Sequence, residues 1–128
     1  ENVKMLNNAL NNYLKQKNAF LDGFYFCPHH TKGVIDKYTK DCDCRKPKPG
    51  MIEKAVRDFG DIDLKKSYVI GDKIFDVELA KNAGCKGVLI KTGYGSQILL
   101  ENKNFNLADY IADSLTDAVD WILRDLEG

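Results

Sequence analysis

Two pairs of metal-binding side chains stand out first: Cys27-x-His29 and, after twelve intervening residues, Cys42-x-Cys44. Three thiolates and one imidazole suit a tetrahedral zinc ion, and two close pairs joined by a loop let one ion close a long excursion of chain. With all four positions filled by protein, such a site is closed and structural. His30 competes with His29, because ring rotation could choose either. Symmetry with Cys42-x-Cys44 favours His29. The other reading is three buried or free thiols beside a chance histidine. A disulfide framework suits a short secreted chain, but no export signal is visible, and Cys-x-Cys is too tight to bridge to itself without strain. The zinc reading carries with it a reducing, cytoplasmic setting.

Directly after Cys44 comes Arg45-Lys46-Pro47-Lys48-Pro49-Gly50, a loop stiffened by two prolines. Its cations, held in place, could clamp a phosphate; a solvated basic turn is the other reading. Zinc at the preceding residue would lock Arg45 in position. The third cluster is Val69-Ile70-Gly71-Asp72-Lys73-x-x-Asp76. An apolar strand here delivers Asp72 to its carboxyl end, where open parallel sheets bind ligands. Asp72 and Asp76 could share a hard cation such as magnesium, directly or through water, and Lys73 could meet a phosphate bound to it. Equally, Asp72 could cap the following helix, with Asp76 simply in its first turn.

The elements that must position these groups alternate. Val3, Leu6, Leu10, Tyr13 and Leu14 predict a helix over 2–17. The aromatic run 20–27 ends in a predicted strand over 23–27, and 28–49 is a polar loop holding all three prolines. Met51, Ile52, Ala55, Val56 and Phe59 form the stripe of a second helix that Gly60 stops. Ser67–Ile70 predicts a strand, 74–83 a helix closed by Gly84, Gly87–Lys91 a buried strand, and Tyr110–Ala112 a last short one. Ser114 caps a final helix, with Asp117 in capping-box position and Leu115, Val119, Ile122 and Leu126 as its buried stripe. Strands alternating with helices predict an α/β fold, a parallel sheet covered by helices.

The chain's 128 residues suffice for one domain. A composition of 44% hydrophobic and 30% charged residues is that of a globular chain rather than a disordered one. Nineteen basic residues meet nineteen acidic ones, so no broad basic field exists for nucleic acid or an anionic membrane. A zinc-finger nucleic-acid binder is further disfavoured by the lack of a basic recognition helix. No apolar run reaches the roughly 18 residues that span a bilayer. The first residue is Glu1, not Met, and the expectation is a processed, cut or partial product.

Together the motifs resemble the haloacid dehalogenase superfamily of phosphatases, and within it the clade that carries a zinc loop. The resemblance runs through Phe24-Tyr-Phe-Cys-Pro-His-His30, Cys42-Asp-Cys-Arg-Lys-Pro-Lys-Pro-Gly-Met51, Val69-Ile-Gly-Asp-Lys73 and Val88-Leu-Ile-Lys-Thr-Gly93. It implies a Rossmann-like parallel sheet flanked by helices, and magnesium-dependent hydrolysis of a sugar phosphate through an aspartyl-phosphate intermediate. Cys27, His29, Cys42 and Cys44 would then hold structural zinc. Lys46 would neutralise the transferring phosphoryl group, and Arg45 would contact substrate. Asp72 would bind catalytic magnesium with Asp76 in its outer shell, and Lys73 would lie near the substrate phosphate. The long zinc loop with its Lys-Pro-Gly-Met continuation implies a heptose bisphosphate, a precursor of surface polysaccharide, as substrate. Histidinol phosphate is the alternative, and an inactive zinc-stabilised binding module is another.

One departure is large. The family's nucleophile lies in an N-terminal Asp-x-Asp-Gly-Thr that ends a central strand, and no such motif occurs here. Asp61-Ile-Asp63 has the spacing, but Leu64 and Lys65 follow. The Thr/Ser of the second family motif is missing too. The resemblance therefore makes residues 1–128 the C-terminal part of one phosphatase domain, with a zinc-binding loop at 27–44 and the first strands outside the sequence. Alone, this stretch is expected to be inactive. Its strand at 23–27 would be cut off from those near 67–70 and 87–91, leaving unpaired edges open to rearrangement, a second copy or strand exchange.

Overall fold

The computed structural model describes residues 2–25, 45–101 and 107–128. In chain order these form helix α1 (Asn2–Gln16), helix α2 (Gly50–Phe59), a 3-10 turn (Leu64–Lys66), strand β1 (Tyr68–Gly71), helix α3 (Ile74–Ala83), strand β2 (Lys86–Ile90), helix α4 (Gly95–Glu101), strand β3 (Tyr110–Ala112) and helix α5 (Leu115–Glu127). The strands make one parallel sheet in the order β1-β2-β3. Tyr68 pairs with Lys86 and Gly71 with Leu89, while Val88 pairs with Tyr110 and Ile90 with Ala112. All three carboxyl ends therefore face the same way, as the α/β reading requires.

Adjacent residues of a strand point to opposite faces, and β2 uses both. Gly87 lies against Val77 and Ala80 of α3 on one face. Val88 packs with Ala112 and with Ala118 of α5 on the other, ringed by Ile70, Ile90, Tyr110, Trp121 and Ile122. Leu89, Val77 and Val88 are essentially sealed from water, and each such burial stabilises the fold by about 1.5–3 kcal/mol. The helices stop where expected: Gly60 and Gly84 take left-handed conformations at the ends of α2 and α3. Ser114 Oγ accepts the Asp117 N–H at the start of α5, and the Asp117 carboxylate reaches back to the Asp113 N–H.

Two expectations need correction. Residues 20–25 form no strand; 26 and 27 lie outside the described residues. A strand needs a ladder partner, and this segment is instead pinned by side chains, with the Leu21 N–H on Asn11 and the Tyr25 hydroxyl on Asp58. Of the stripe predicted for α5, only Ile122 packs on the core; Leu115, Val119 and Leu126 are exposed. Trp121 explains the rotation. It stacks on Tyr110 at 4.9 Å and meets Tyr68 edge-on at 6.0 Å, turning the Ala118–Trp121–Ile122–Asp125 face inward. Helix α4 was not expected at all.

Candidate active site at the carboxyl end of the sheet

β1 ends at Gly71, and the chain turns through Asp72 and Lys73 into α3. Asp76, in the first turn of α3, is the one buried charged residue among the described residues. Its Oδ2 accepts the Lys73 N–H at 3.3 Å, and its own N–H donates to the Lys73 carbonyl at 3.1 Å. Its Oδ1 meets Lys46 Nζ at 2.7 Å. Asp76 is thus both a helix cap and the counter-charge of Lys46. Gly71 is needed beneath it, since a β-carbon there would collide with the Asp76 carboxylate.

Lys46 arrives on a loop that α3 also anchors. The Lys48 N–H closes a turn onto the Arg45 carbonyl at 2.9 Å, and Asn82 Nδ2 donates to the Pro47 carbonyl at 2.8 Å. Two ties, Asn82 to Pro47 and Asp76 to Lys46, fix the loop against the helix. Beside it lies an open cavity of about 500 Å³ lined by Tyr25, Arg45, Lys46, Met51, Lys73, Phe75 and Asp76. Three cations face one carboxylate there, so the cavity suits an anion. Its volume falls within the range of small-molecule sites. The Tyr25 hydroxyl donates to Asp58 Oδ2 at 2.8 Å. That bond, aided by burial and the carboxylate's charge, holds the phenol above its ordinary pKa, so Tyr25 presents a neutral ring to the cavity.

The predicted residues are thus partly brought together. Arg45, Lys46, Lys73 and Asp76 share the cavity, while Asp72 faces the loop after β2 and accepts the Tyr94 N–H at 3.3 Å. Among the described residues no group of three or more His, Cys, Asp or Glu side chains converges as a metal cluster. Asp72 and Asp76 turn to different partners. Cys27, His29, His30, Cys42 and Cys44 lie outside the described residues. Sequence reasoning missed Asn82, Tyr25, Phe75 and Tyr94. Only Tyr94 had a visible signal, flanked by Gly93 and Gly95 just after a buried strand.

A parallel sheet with an aspartate turn and a lysine loop at its carboxyl end defines a class, and the comparisons agree with it. Residues 43–118 match the family model described as HAD-hydrolase-like, and the chain belongs to that family. Within it, the chain is 42% identical over 112 residues to the D-glycero-D-manno-heptose-1,7-bisphosphate 7-phosphatase of Thermosynechococcus vestitus, covering 84% of this chain and 57% of the relative. It is 43% identical over 106 residues to the D-glycero-beta-D-manno-heptose-1,7-bisphosphate 7-phosphatase of Escherichia coli, covering 81% and 52%. Among solved structures it resembles the D,D-heptose 1.7-bisphosphate phosphatase of B. bronchiseptica complexed with magnesium and phosphate. That match has a TM-score of 0.78 at 26% identity and covers 96% of this chain and 64% of the other. The chain spans about half the length of the curated relatives it matches. No helix among the described residues is long and apolar enough to cross a membrane.

Proposed function

We propose that residues 1–128 form the C-terminal part of a single haloacid dehalogenase-like phosphatase domain that removes the 7-phosphate of D-glycero-D-manno-heptose 1,7-bisphosphate. The observation that carries this reading is the cavity in which Arg45, Lys46 and Lys73 converge at the carboxyl end of a parallel sheet. The likeness to three heptose bisphosphate phosphatases supports the choice of sugar. In this reading the phosphoryl group passes from the sugar oxygen to an aspartate outside these 128 residues, while a second aspartate there, acting as general acid, protonates the departing sugar oxygen. Water then breaks the new O–P bond, releasing phosphate and restoring the carboxylate. Lys46, oriented by Asp76, offsets charge on the equatorial oxygens, and Arg45 and Lys73 bind phosphate oxygens. Fixed cations are worth most here because they need no reorganisation as the charge moves.

Asp72 fits a magnesium ion, which takes one or two carboxylates and fills its other positions with water and phosphate oxygens. Asp76 would lie in its outer shell. The ion would supply Lewis-acid stabilisation of the phosphoryl oxygens. Cys27, His29, Cys42 and Cys44 would hold a structural zinc that adds a third tie to the Arg45–Lys46 loop, in a cytoplasmic protein with no nucleic-acid or membrane partner. The outer edge of β1, with no strand beside it among the described residues, would accept a further strand, from the upstream motif segment or by exchange with a second copy.

The test is phosphate release from the heptose bisphosphate and from histidinol phosphate by the product of the whole reading frame, with magnesium and with a chelator. Magnesium-dependent release with clear preference for the heptose is expected. A reversed preference would move the substrate to histidinol phosphate. No release from either, in a frame lacking an upstream Asp-x-Asp-Gly-Thr, would leave a zinc-stabilised binding module.

A further inference from the structure

The loop between β2 and α4 is folded tightly against the site. The Lys91 N–H donates to the Ala112 carbonyl at 2.8 Å, and Ser96 returns both its N–H, at 3.1 Å, and its hydroxyl, at 2.8 Å, to the Lys91 carbonyl. The Ile98 N–H then closes on the Tyr94 carbonyl at 3.0 Å. These bonds hold Tyr94 at the carboxyl edge of the sheet, beside Asp72 and Lys73, and it touches both. Its N–H donates to Asp72 Oδ2 at 3.3 Å. Its ring carries the Lys73 ammonium, 5.3 Å from the centroid, inside the range of a cation–π contact.

The residue before it is shaped by the same neighbour. Gly93 has φ of 71°, in the left-handed region, and a β-carbon there would collide with the Asp72 carboxylate. Tyr94 remains 57% exposed, so it buries too little surface for packing alone to account for the aromatic ring. What the ring does contact is the one lysine that lines the cavity from α3's own N-cap. A long lysine loses rotamer freedom when it closes on a ligand, and a ring that already holds it reduces that loss.

We propose that Tyr94 is a positioning residue of the phosphate site: its backbone fixes the Asp72 carboxylate, and its ring holds the Lys73 ammonium where a phosphate oxygen of the sugar phosphate is received. The proposal rests on the phosphatase reading of this cavity. The two fail separately, because three of its readouts need no turnover. In the whole protein, the Lys73 ε-methylene protons are expected to be shifted upfield by the ring in the parent and in Tyr94→Phe, and to lose that shift in Tyr94→Leu.

Inorganic phosphate, titrated at saturating magnesium, should bind about two- to fivefold more weakly to Tyr94→Leu, and as in the parent to Tyr94→Phe, because an exposed cation–π contact is of that size. With the sugar phosphate, Tyr94→Leu should raise KM by a similar factor while kcat moves less. Magnesium titrated alone should bind about tenfold more weakly to Gly93→Ala, the usual cost of disturbing a group that orients a metal ligand. If Tyr94→Leu is poorly folded, Tyr94→Trp serves instead, with the shift and the affinity retained. An unshifted Lys73 in the parent, or equal phosphate affinity in Tyr94→Leu, overturns the ring's role. Unchanged magnesium affinity in Gly93→Ala overturns the backbone's role. Absent hydrolysis with the shifts and affinities as expected would sink the proposed reaction but leave Tyr94 in place.

Discussion

Two lysine–aspartate pairs close at the same 2.7 Å at opposite ends of this sheet. At the carboxyl end Lys46 meets Asp76, with side chains 45% and 11% exposed; at the amino end Lys86 meets Asp125, at 43% and 23%. Distance and burial hardly separate them, yet their surroundings do. Asp125 Oδ2 takes both Lys86 and the Tyr68 hydroxyl, and Trp121 packs edge-on against the Tyr68 ring. One carboxylate there joins the end of α5 to the starts of β1 and β2. Asp76 instead spends one oxygen on a helix N-terminus and the other on Lys46, beside a cavity that also holds Arg45 and Lys73. One end gathers its charges into a closed latch, and the other carries an excess of cations toward solvent. An ion pair marks a site by the charge left over around it.

The sharpest way to break this comparison is to remove each lysine in turn. On the proposed reaction, Lys46→Met in the whole protein should lower kcat for the heptose bisphosphate by about 10²–10³, the usual loss when one fixed donor to a developing charge is removed. Lys86→Met should lower thermal stability and leave the rate alone. Equal effects on rate would mean that the two pairs do the same job. Trp121→Ala comes next. It removes a stacked and an edge-on aromatic contact together with half-buried surface, and should destabilise by about 2–4 kcal/mol in urea unfolding, with phosphate affinity unchanged. Gly71→Ala should cost less, about 1–3 kcal/mol, as overpacking does. Unlike Trp121→Ala it should also weaken phosphate binding, because the new methyl displaces the Asp76 carboxylate that orients Lys46.

Sequence patterning read the two ends unequally well. The parallel alternation, the Gly71–Asp72 turn at a strand end, the stops at Gly60 and Gly84, and the Ser114 cap are local features, and each follows from backbone chemistry within a few residues. The amino-end latch was invisible, because Tyr68, Lys86 and Asp125 are far apart in sequence and none sits in a motif. The same blindness misplaced the buried face of α5. Apolar residues cover so wide an arc of that helix that periodicity alone does not select its centre, and the choice falls to Trp121 between two tyrosines. At the carboxyl end, spacing left Asp76 open between a metal shell and a helix cap. The cap is local, but the bond to Lys46 depends on a loop thirty residues earlier. Tyr94 needed the fold as well, since its two contacts reach back to Asp72 and Lys73 across a strand and a helix.

The smallest expected effect tests the latch most selectively, because three titrations share one cause. The hydrogen bond from Lys86, then that from Tyr68, holds Asp125 below the usual carboxylate range. The same carboxylate raises Lys86 and Tyr68 above their ordinary values. A lowered acid adds stability that is present above its unfolded pKa and lost as pH falls through the folded one. A raised lysine or tyrosine adds stability that is present below its unfolded pKa and lost as pH rises through the folded one. The urea midpoint of the parent minus that of Asp125→Asn should therefore be flat from about pH 5 to about pH 9, shrinking below about pH 4 and again above about pH 10. Some alkaline slope should survive in Asp125→Asn itself. Tyr110 is raised independently, first by burial and then by its bond to Asp117. A difference curve flat on both sides would mean that Asp125 is paired with neither Lys86 nor Tyr68 in solution, and the amino end would then be held by the Trp121 stack without the charges.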